Sequence, residues 1–198
     1  MTEKEKMLSG KFYNSRDPQL IERYHIARNL MAKINGYPQI DLTEKLDLFS
    51  KLLGNLGENV WIETPFYCDY GEHIFIGEGT FINVNAMFLD NNIIKIGKNG
   101  LIGPNVQLLT ASHPLSSKER IEERIEEKTL DGKIKVSYKT YSKPITLGDN
   151  VWIGGNTVIL PGISIGHNVC IGAGSVVTKN LPDNVLAFGN PCKISRNI

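Results

Sequence analysis
The chain has 198 residues, 41% of them hydrophobic and 22% charged, with a formal net charge of +1. That length fits one domain, or one domain with an appendage, and the balanced charge gives no bulk polarity for nucleic acid or an anionic membrane. No apolar run approaches a transmembrane helix, the opening "MTEKEKM" lacks the apolar core of a secretion signal, and three scattered cysteines, Cys68, Cys170 and Cys192, argue against a disulfide framework and a zinc motif, so a reduced, cytoplasmic setting is the simplest expectation.

The first elements read as helices. Leu20, Tyr24, Ala27, Met31 and Ile34 recur at steps of four and three, an amphipathic stripe. Gly36 and Pro38 are its stop signals, and His25 falls off the stripe, on the surface. A second, shorter helix is predicted over 43–53, with Leu46, Phe49 and Leu53 as its apolar face and Gly54 suited to the position after its cap. Residues 1–57 form the predicted helical segment.

From about residue 58 the period changes. "IFIGEGTFI" (74–82), "IKIGKNGLIGPNV" (94–106) and "ITLGDNVWIGGNTVILPGISIGHNVCIGAG" (145–174) are variants of one unit. Leu147, Ile153, Ile159, Ile165, Ile171 and Val177 fall six residues apart, whereas a strand alternates at two and a helix at three or four. Self-similarity at a fixed period marks a repeat architecture. Each unit forms one flat side of a coil, its aliphatic side chain turned inward. The glycine that follows serves a positive-φ corner or tight packing. Three units close a triangular coil, so Leu147 should stack on Ile165 and Ile153 on Ile171. A single coil is not stable alone and must pair with the next. The predicted fold is mainly β, a parallel β-helix over 58–190 followed by a tail over 191–198. A sandwich of short buried strands fits six aliphatics in register poorly.

The repeat breaks once, between Leu108 and Leu147, around a predicted inserted loop at 113–143. Ser116 with Glu119 resembles a capping box. Ile121 and Ile125 at i,i+4 spacing predict a helix from Ser117 to about Lys128, ended by Gly132, with "KIKVSY" as a strand. Most of its charges read as a solvated arm, although so long an excursion from a compact repeat tends to be functional.

The hexapeptide units, together with "TASHPL", "KPITLGDNVWIGG", "PGISIG", "GAGSVVTKNLPDN", "GNPCKI" and the N-terminal "KMLSGKFY", resemble the galactoside and maltose O-acetyltransferases of the hexapeptide-repeat acyltransferases. The likeness runs over essentially the whole chain. It implies a left-handed β-helix, a homotrimer with active sites between subunits, acetyl-CoA as co-substrate without a metal, and a small-molecule hydroxyl acceptor.

Four histidines are present. His73 and His167 fall in polar turns, the slot of His167 being filled elsewhere by Glu78, Lys98 and Asp149. His113 differs: it leaves the repeat at the root of the insertion, followed by Pro114. An imidazole that titrates near neutrality can take a hydroxyl proton, and the resemblance makes His113 the general base. By the same resemblance Asn83 stabilises the oxyanion and, with Asp69 and Asn91, binds the acceptor. Asn91 stands where the galactoside enzymes use an acid, and Asp69 and Asn91 are also ordinary corner residues. The match carries acetyl-CoA onto Gly155, Ala173, Thr178, Lys179, Lys193 and Arg196. Lys193 replaces an arginine of the galactoside enzyme. The family usually places an acid three residues before the lysine of "KPI", near the catalytic histidine; here that residue is Thr140. Either the longer loop supplies an acid, Glu126 or Glu127, or the partner is missing. The competing expectations are the same chemistry on a non-sugar acceptor, a β-helical metalloenzyme with three histidine ligands like the gamma carbonic anhydrases, and a non-catalytic scaffold.

Overall fold
The computed structural model describes residues 1–36, 41–128 and 134–198; the predicted stops at Pro38 and Gly132 lie outside the described residues. The hexapeptide register builds three walls of stacked short strands. The first wall is Asn55–Leu56, Ile74–Ile76, Ile94–Ile96, Ile145–Leu147 and Ser164–Ile165. The second is Trp61–Ile62, Phe81–Ile82, Leu101–Ile102, Trp152–Ile153, Cys170–Ile171 and Val185–Phe188, closed by the antiparallel Lys193–Asn197. The third is Phe66–Cys68, Ala86–Leu89, Gln107–Leu109, Val158–Ile159 and Val176–Val177. Leu147 faces Ile165 and Ile153 faces Ile171, as the spacing requires. Below the insertion each coil is two residues longer, Trp61 facing Phe81 and Phe81 facing Leu101.

The inward positions carry the stability. Ile62, Ile82, Ile102, Ile153 and Ile171 form one buried column inside the second wall, and full burial of one such side chain contributes about 1.5–3 kcal/mol. The corners divide the labour between two residue types. Asn99, Asn150, Asn168 and Asn184 hold the positive φ, between 53° and 58°, a region asparagine tolerates. Their amides form a ladder, Asn99 donating to Asn150 at 3.2 Å, Asn150 to Asn168 at 2.9 Å and Asn168 to Asn184 at 2.9 Å. The glycine after the aliphatic residue serves close packing instead. A Cβ on Gly97 would lie 2.5 Å from the carbonyl carbon of Gly148 in the next coil.

Helices close the open base of the coil. α1 (Glu3–Leu8) starts in a capping box of Thr2 and Glu5. α2 (Pro18–Gly36) buries Leu20, Ala27, Met31 and Ile34, with Tyr24 half-buried. α3 (Leu42–Leu52) buries Phe49, and Leu53 just after it, but Leu46 of the predicted face is 38% exposed. Leu48 and Leu52 take its place, because the helix turns that side toward the coil opening. There Phe49 meets Phe66 edge-on at 5.7 Å and Phe66 meets Phe88 at 5.3 Å, forming an aromatic plug. Gly54 does follow the cap, but without a left-handed conformation; it is glycine because a Cβ would collide with the Glu72 carbonyl oxygen.

The insertion departs from its predicted helix. α4 (Ser117–Arg120) is a single turn, and Ser116 makes no side-chain cap. Ile121–Lys128 then pairs antiparallel with Ile134–Tyr138, Ile121 facing Tyr138 and Glu122 facing Ser137. The strand predicted in "KIKVSY" offers a neighbour that pairs with 121–124 and with Lys128, the register shifting between them, and the β-branched Ile121 suits that pairing.

Candidate active site
The residues singled out in the sequence gather along two different edges, on either side of the third wall. At the edge where the second wall turns into the third, Glu63, Asn83, Gly103 and Gly154 stack coil on coil. Their backbone N–H groups donate to Ile82, Ile102, Ile153 and Ile171 at 2.8–2.9 Å. A groove of about 430 Å³ runs along this edge, lined by Asn83, Pro104, Trp152, Gly155 and Ala173 among others. It stays open because its corner residues are small. The Asn83 side-chain oxygen accepts the Val84 N–H at 2.8 Å, and its NH2 group makes no hydrogen bond to a described residue. Lys193 and Arg196 lie exposed in the last strand, opposite Phe188 and Leu186.

The other edge, where the third wall turns into the first, carries Asp69, Asn91, His113, Thr178 and Lys179. His113 is exposed. Its Nδ1 lies 2.8 Å from the carbonyl oxygen of Lys139. A carbonyl only accepts, so Nδ1 carries the proton and Nε2 keeps its lone pair. The Thr140 hydroxyl lies 3.5 Å from the same Nδ1 and donates to the Tyr138 carbonyl at 3.1 Å. The missing family acid is thus answered by a backbone carbonyl one residue earlier. The side chains of Glu126 and Glu127 lie outside the described residues.

Around Asp69 the edge is polar but largely shut off from water. Burial raises the Asp69 carboxyl; Arg28, 3.9 Å away, and Asn91 oppose that rise. Tyr13 and Tyr70 border the same pair, and burial pushes both phenols up. The Tyr13 hydroxyl and the Asn91 side-chain oxygen are buried with no hydrogen-bond partner among the described residues. Asp90 is fully buried and accepts the backbone N–H groups of Asp69 at 3.0 Å, Tyr70 at 2.8 Å and His73 at 3.3 Å. Tyr13 donates its own N–H to the Thr140 carbonyl at 3.1 Å, tying the N-terminal segment to the strand that orients His113.

Tyr13, Tyr70, Arg28 and Asp90 were not among the sequence candidates. Asp90 was legible: it continues the inward alternation of Ala86 and Phe88, so an acid there had to be buried. His73 is a correction. It is buried rather than in an open turn, because the Tyr70 ring, at 5.6 Å, and the Lys4–Glu72 ion pair cover its corner. Its Nδ1 bonds the Asp90 carbonyl at 2.8 Å. His167 is an exposed cap that accepts the Asp149 N–H at 2.9 Å. Among the described residues no group of three His, Cys, Asp or Glu side chains is placed to hold a metal, and no helix is long and apolar enough to cross a membrane.

Stacked hexapeptide coils, a groove of small residues along one edge and an oriented imidazole on another define a β-helical transferase. Residues 6–57 match the maltose acetyltransferase hexapeptide capping motif, and 144–179 match the bacterial transferase hexapeptide family of six repeats. The galactoside O-acetyltransferase of Escherichia coli K12 is 36% identical over 98% of this chain and 88% of its own. The crystal structure of a maltose O-acetyltransferase from Clostridium difficile 630 superposes with a TM-score of 0.89 at 41% identity, covering 100% of this chain and 98% of that one. A hexapeptide-repeat acetyltransferase from Vibrio cholerae O1 biovar eltor, complexed with acetyl coenzyme A, gives 0.85 at 37% identity over 100% and 98%. The chain belongs to the galactoside and maltose O-acetyltransferases of the hexapeptide-repeat acyltransferases. The coil is accordingly a left-handed parallel β-helix, and the protein is an acetyltransferase.

Proposed function
We propose that the enzyme moves an acetyl group from acetyl-CoA to a hydroxyl of a sugar or related small molecule, at sites shared between neighbouring copies of a trimer. The observation that carries the reading is the His113 imidazole, whose Nδ1 is held by the Lys139 carbonyl while Nε2 remains a free base. In this reading Nε2 takes the proton of the acceptor hydroxyl as its oxygen attacks the thioester carbonyl. The Asn83 NH2 group, without a partner among the described residues, donates to the oxyanion. The intermediate then collapses, the C–S bond breaks and the imidazolium returns its proton to the departing sulfur. Pantetheine lies along Gly155 and Ala173 with Lys193 and Arg196 beyond it, and a neighbouring copy brings its Thr178 and Lys179, from the opposite edge, to the nucleotide end, the three cations pairing with phosphates. The Vibrio relative's complex with acetyl coenzyme A supports the donor. An intracellular thioester as donor supports a cytoplasmic setting.

The two edges support sharing. Asn83 and His113 flank the third wall of one chain, so one edge of a copy must meet the other edge of its neighbour. A head-to-tail contact forms a ring when its rotation closes, and a coil with three walls suits a ring of three. The test is complementation. Asn83→Ala and His113→Ala trimers should each be nearly inactive in a thiol-release assay. Unfolding and refolding them together should restore a fraction of wild-type turnover, because some interfaces in the hybrids join an intact Asn83 to an intact His113. Hybrids as inactive as their parents, or a monomer by light scattering at micromolar concentration, would reject sharing.

A further inference from the structure
Glu63 and Trp61 stand at the foot of the groove edge and have no assigned role. Glu63 follows its second-wall strand as Asn83 does, one coil nearer the base, where adjacent strands lie about 4.8 Å apart. Its backbone N–H donates to Ile82 at 2.8 Å while that of Asn83 donates to Ile102, so the two residues are in register on one edge. Trp61 is 46% exposed. Its Nε1–H donates to one Glu63 carboxylate oxygen at 2.8 Å, which fixes both side chains. The other oxygen makes no hydrogen bond to any described residue, and Glu63 has no ion pair with a described cation.

We infer that Glu63 and Trp61 form an acceptor subsite, and that it selects an uncharged polyhydroxylated ring. The inference rests on the shared-site reading, which assigns the groove above Asn83 to the thioester donor. The acceptor must then enter from the base, and Glu63 and Trp61 are the next groups along that edge. A carboxylate with a free oxygen accepts hydroxyl donors, and charge-assisted bonds of this kind are the stronger ones. An exposed indole beside it offers a flat apolar face for the C–H side of a sugar ring. The charge also discriminates. On its other side Trp61 walls a hollow of about 630 Å³ that includes Glu58 and an Asp47 already paired with Lys51, and Lys45 lies against the same indole, so the discriminating charge is Glu63 itself. A phosphorylated or uronic-acid form of the same ring would meet like charge and lose affinity.

The test compares a neutral pyranoside with the uronic acid of the same ring as acceptors for wild type, Glu63→Gln and Trp61→Phe. Glu63→Gln should raise KM for the neutral pyranoside about tenfold, the scale of one lost charge-assisted hydrogen bond. KM for acetyl-CoA should stay within about twofold, and the preference for the neutral ring over the uronate should shrink. Trp61→Phe keeps an aromatic face but frees Glu63, and should change the neutral KM less. Unchanged acceptor constants and an unchanged preference in Glu63→Gln would overturn the subsite. So would a variant that falls apart into monomers, since Glu63 would then serve the subunit contact. Failure of the shared-site reading looks different: hybrid trimers stay inactive whatever Glu63 does.

Discussion

Along the edge that carries Asn83 the repeat never breaks; along the edge that carries His113 it breaks once, for the whole insertion. The first edge is made of small corner residues, Gly103, Gly154 and Gly172 among them, and the consequence is an open trough with one unfilled amide. The second is made of buried polar side chains held by backbone groups, with Asp90 accepting three N–H groups and His113 fixed by a carbonyl. Regular stacking can make a surface along which a long ligand lies, but every coil then repeats much the same chemistry. A single oriented base needs a place where the register is given up, and the insertion provides it between two otherwise continuous coils. The difference teaches where to look in such a fold: for length, along the unbroken edge; for chemistry, where the repeat is interrupted.

The contrast breaks most sharply at His113. His113→Ala should lose about two to four orders of magnitude in kcat, the usual share of general acid–base catalysis, while acetyl-CoA binding measured by calorimetry persists. His167→Ala, an exposed cap on the regular part of the coil, should keep near wild-type turnover. Comparable losses in both variants would mean that the interruption carries no special chemistry. On the unbroken edge the matching change is Ala173→Phe, which fills the trough. KM for acetyl-CoA should rise by about tenfold or more with little change in KM for the acceptor. An equal rise in both constants would remove the division between donor and acceptor ends.

The coil was legible because its cause is local and periodic: an aliphatic residue every sixth position has only one inside to point toward. The stacking of Leu147 on Ile165 follows from that alone. The role of the "IG" glycines was read less well. Two properties, left-handed φ and lack of a Cβ, are both glycine's, and only the structure separates them, giving the first to asparagine. The insertion was misread since Ile121 and Ile125 satisfy a helical spacing, and a strand partner as far along the chain as Tyr138 is from Ile121 exerts no local signal. At the site, His113 and Asn83 came from motif resemblance, but that they lie on opposite edges depends on counting walls. The polar cluster of Tyr13, Tyr70 and Asp69 assembles residues distant in sequence, and no pattern in any one segment announces it.

The orienting carbonyl at Lys139 sharpens the comparison further. Thr140→Glu would set a carboxylate beside the His113 Nδ1, where the Thr140 hydroxyl now lies 3.5 Å away. An opposite charge favours the imidazolium, so the ascending limb of kcat/KM against pH should move to higher pH by up to about one unit. A limb that does not move would mean that the introduced acid fails to reach the ring. The same acid introduced at Lys95, exposed on a regular first-wall strand, is the control and should leave the profile alone.

The smallest effect concerns stability and the polar floor of the interrupted edge. Burial raises the Asp90 carboxyl to about 7, against the pull of the N–H groups it accepts. The folded chain therefore holds a proton that the unfolded chain releases at about 4. Below that value Asp90 gives its full contribution; as pH climbs toward 7 the contribution is lost. His73, in contact with it, acts in the opposite sense. Burial lowers its pKa, against the pull of the Asp90 carbonyl and Glu72, so its cost appears as pH falls below the unfolded value of about 6.5. The two slopes oppose each other in the wild type. Asp90→Asn removes one and leaves the other, so the variant's Tm should climb more steeply than wild type between about pH 4 and 7. The gap between the two curves should be widest at the acid end, shift by a few degrees across the window and flatten above it. Parallel curves would mean that Asp90 stays ionised throughout, its three N–H donors outweighing burial, and the floor of this edge would then be a fixed charge rather than a titrating one.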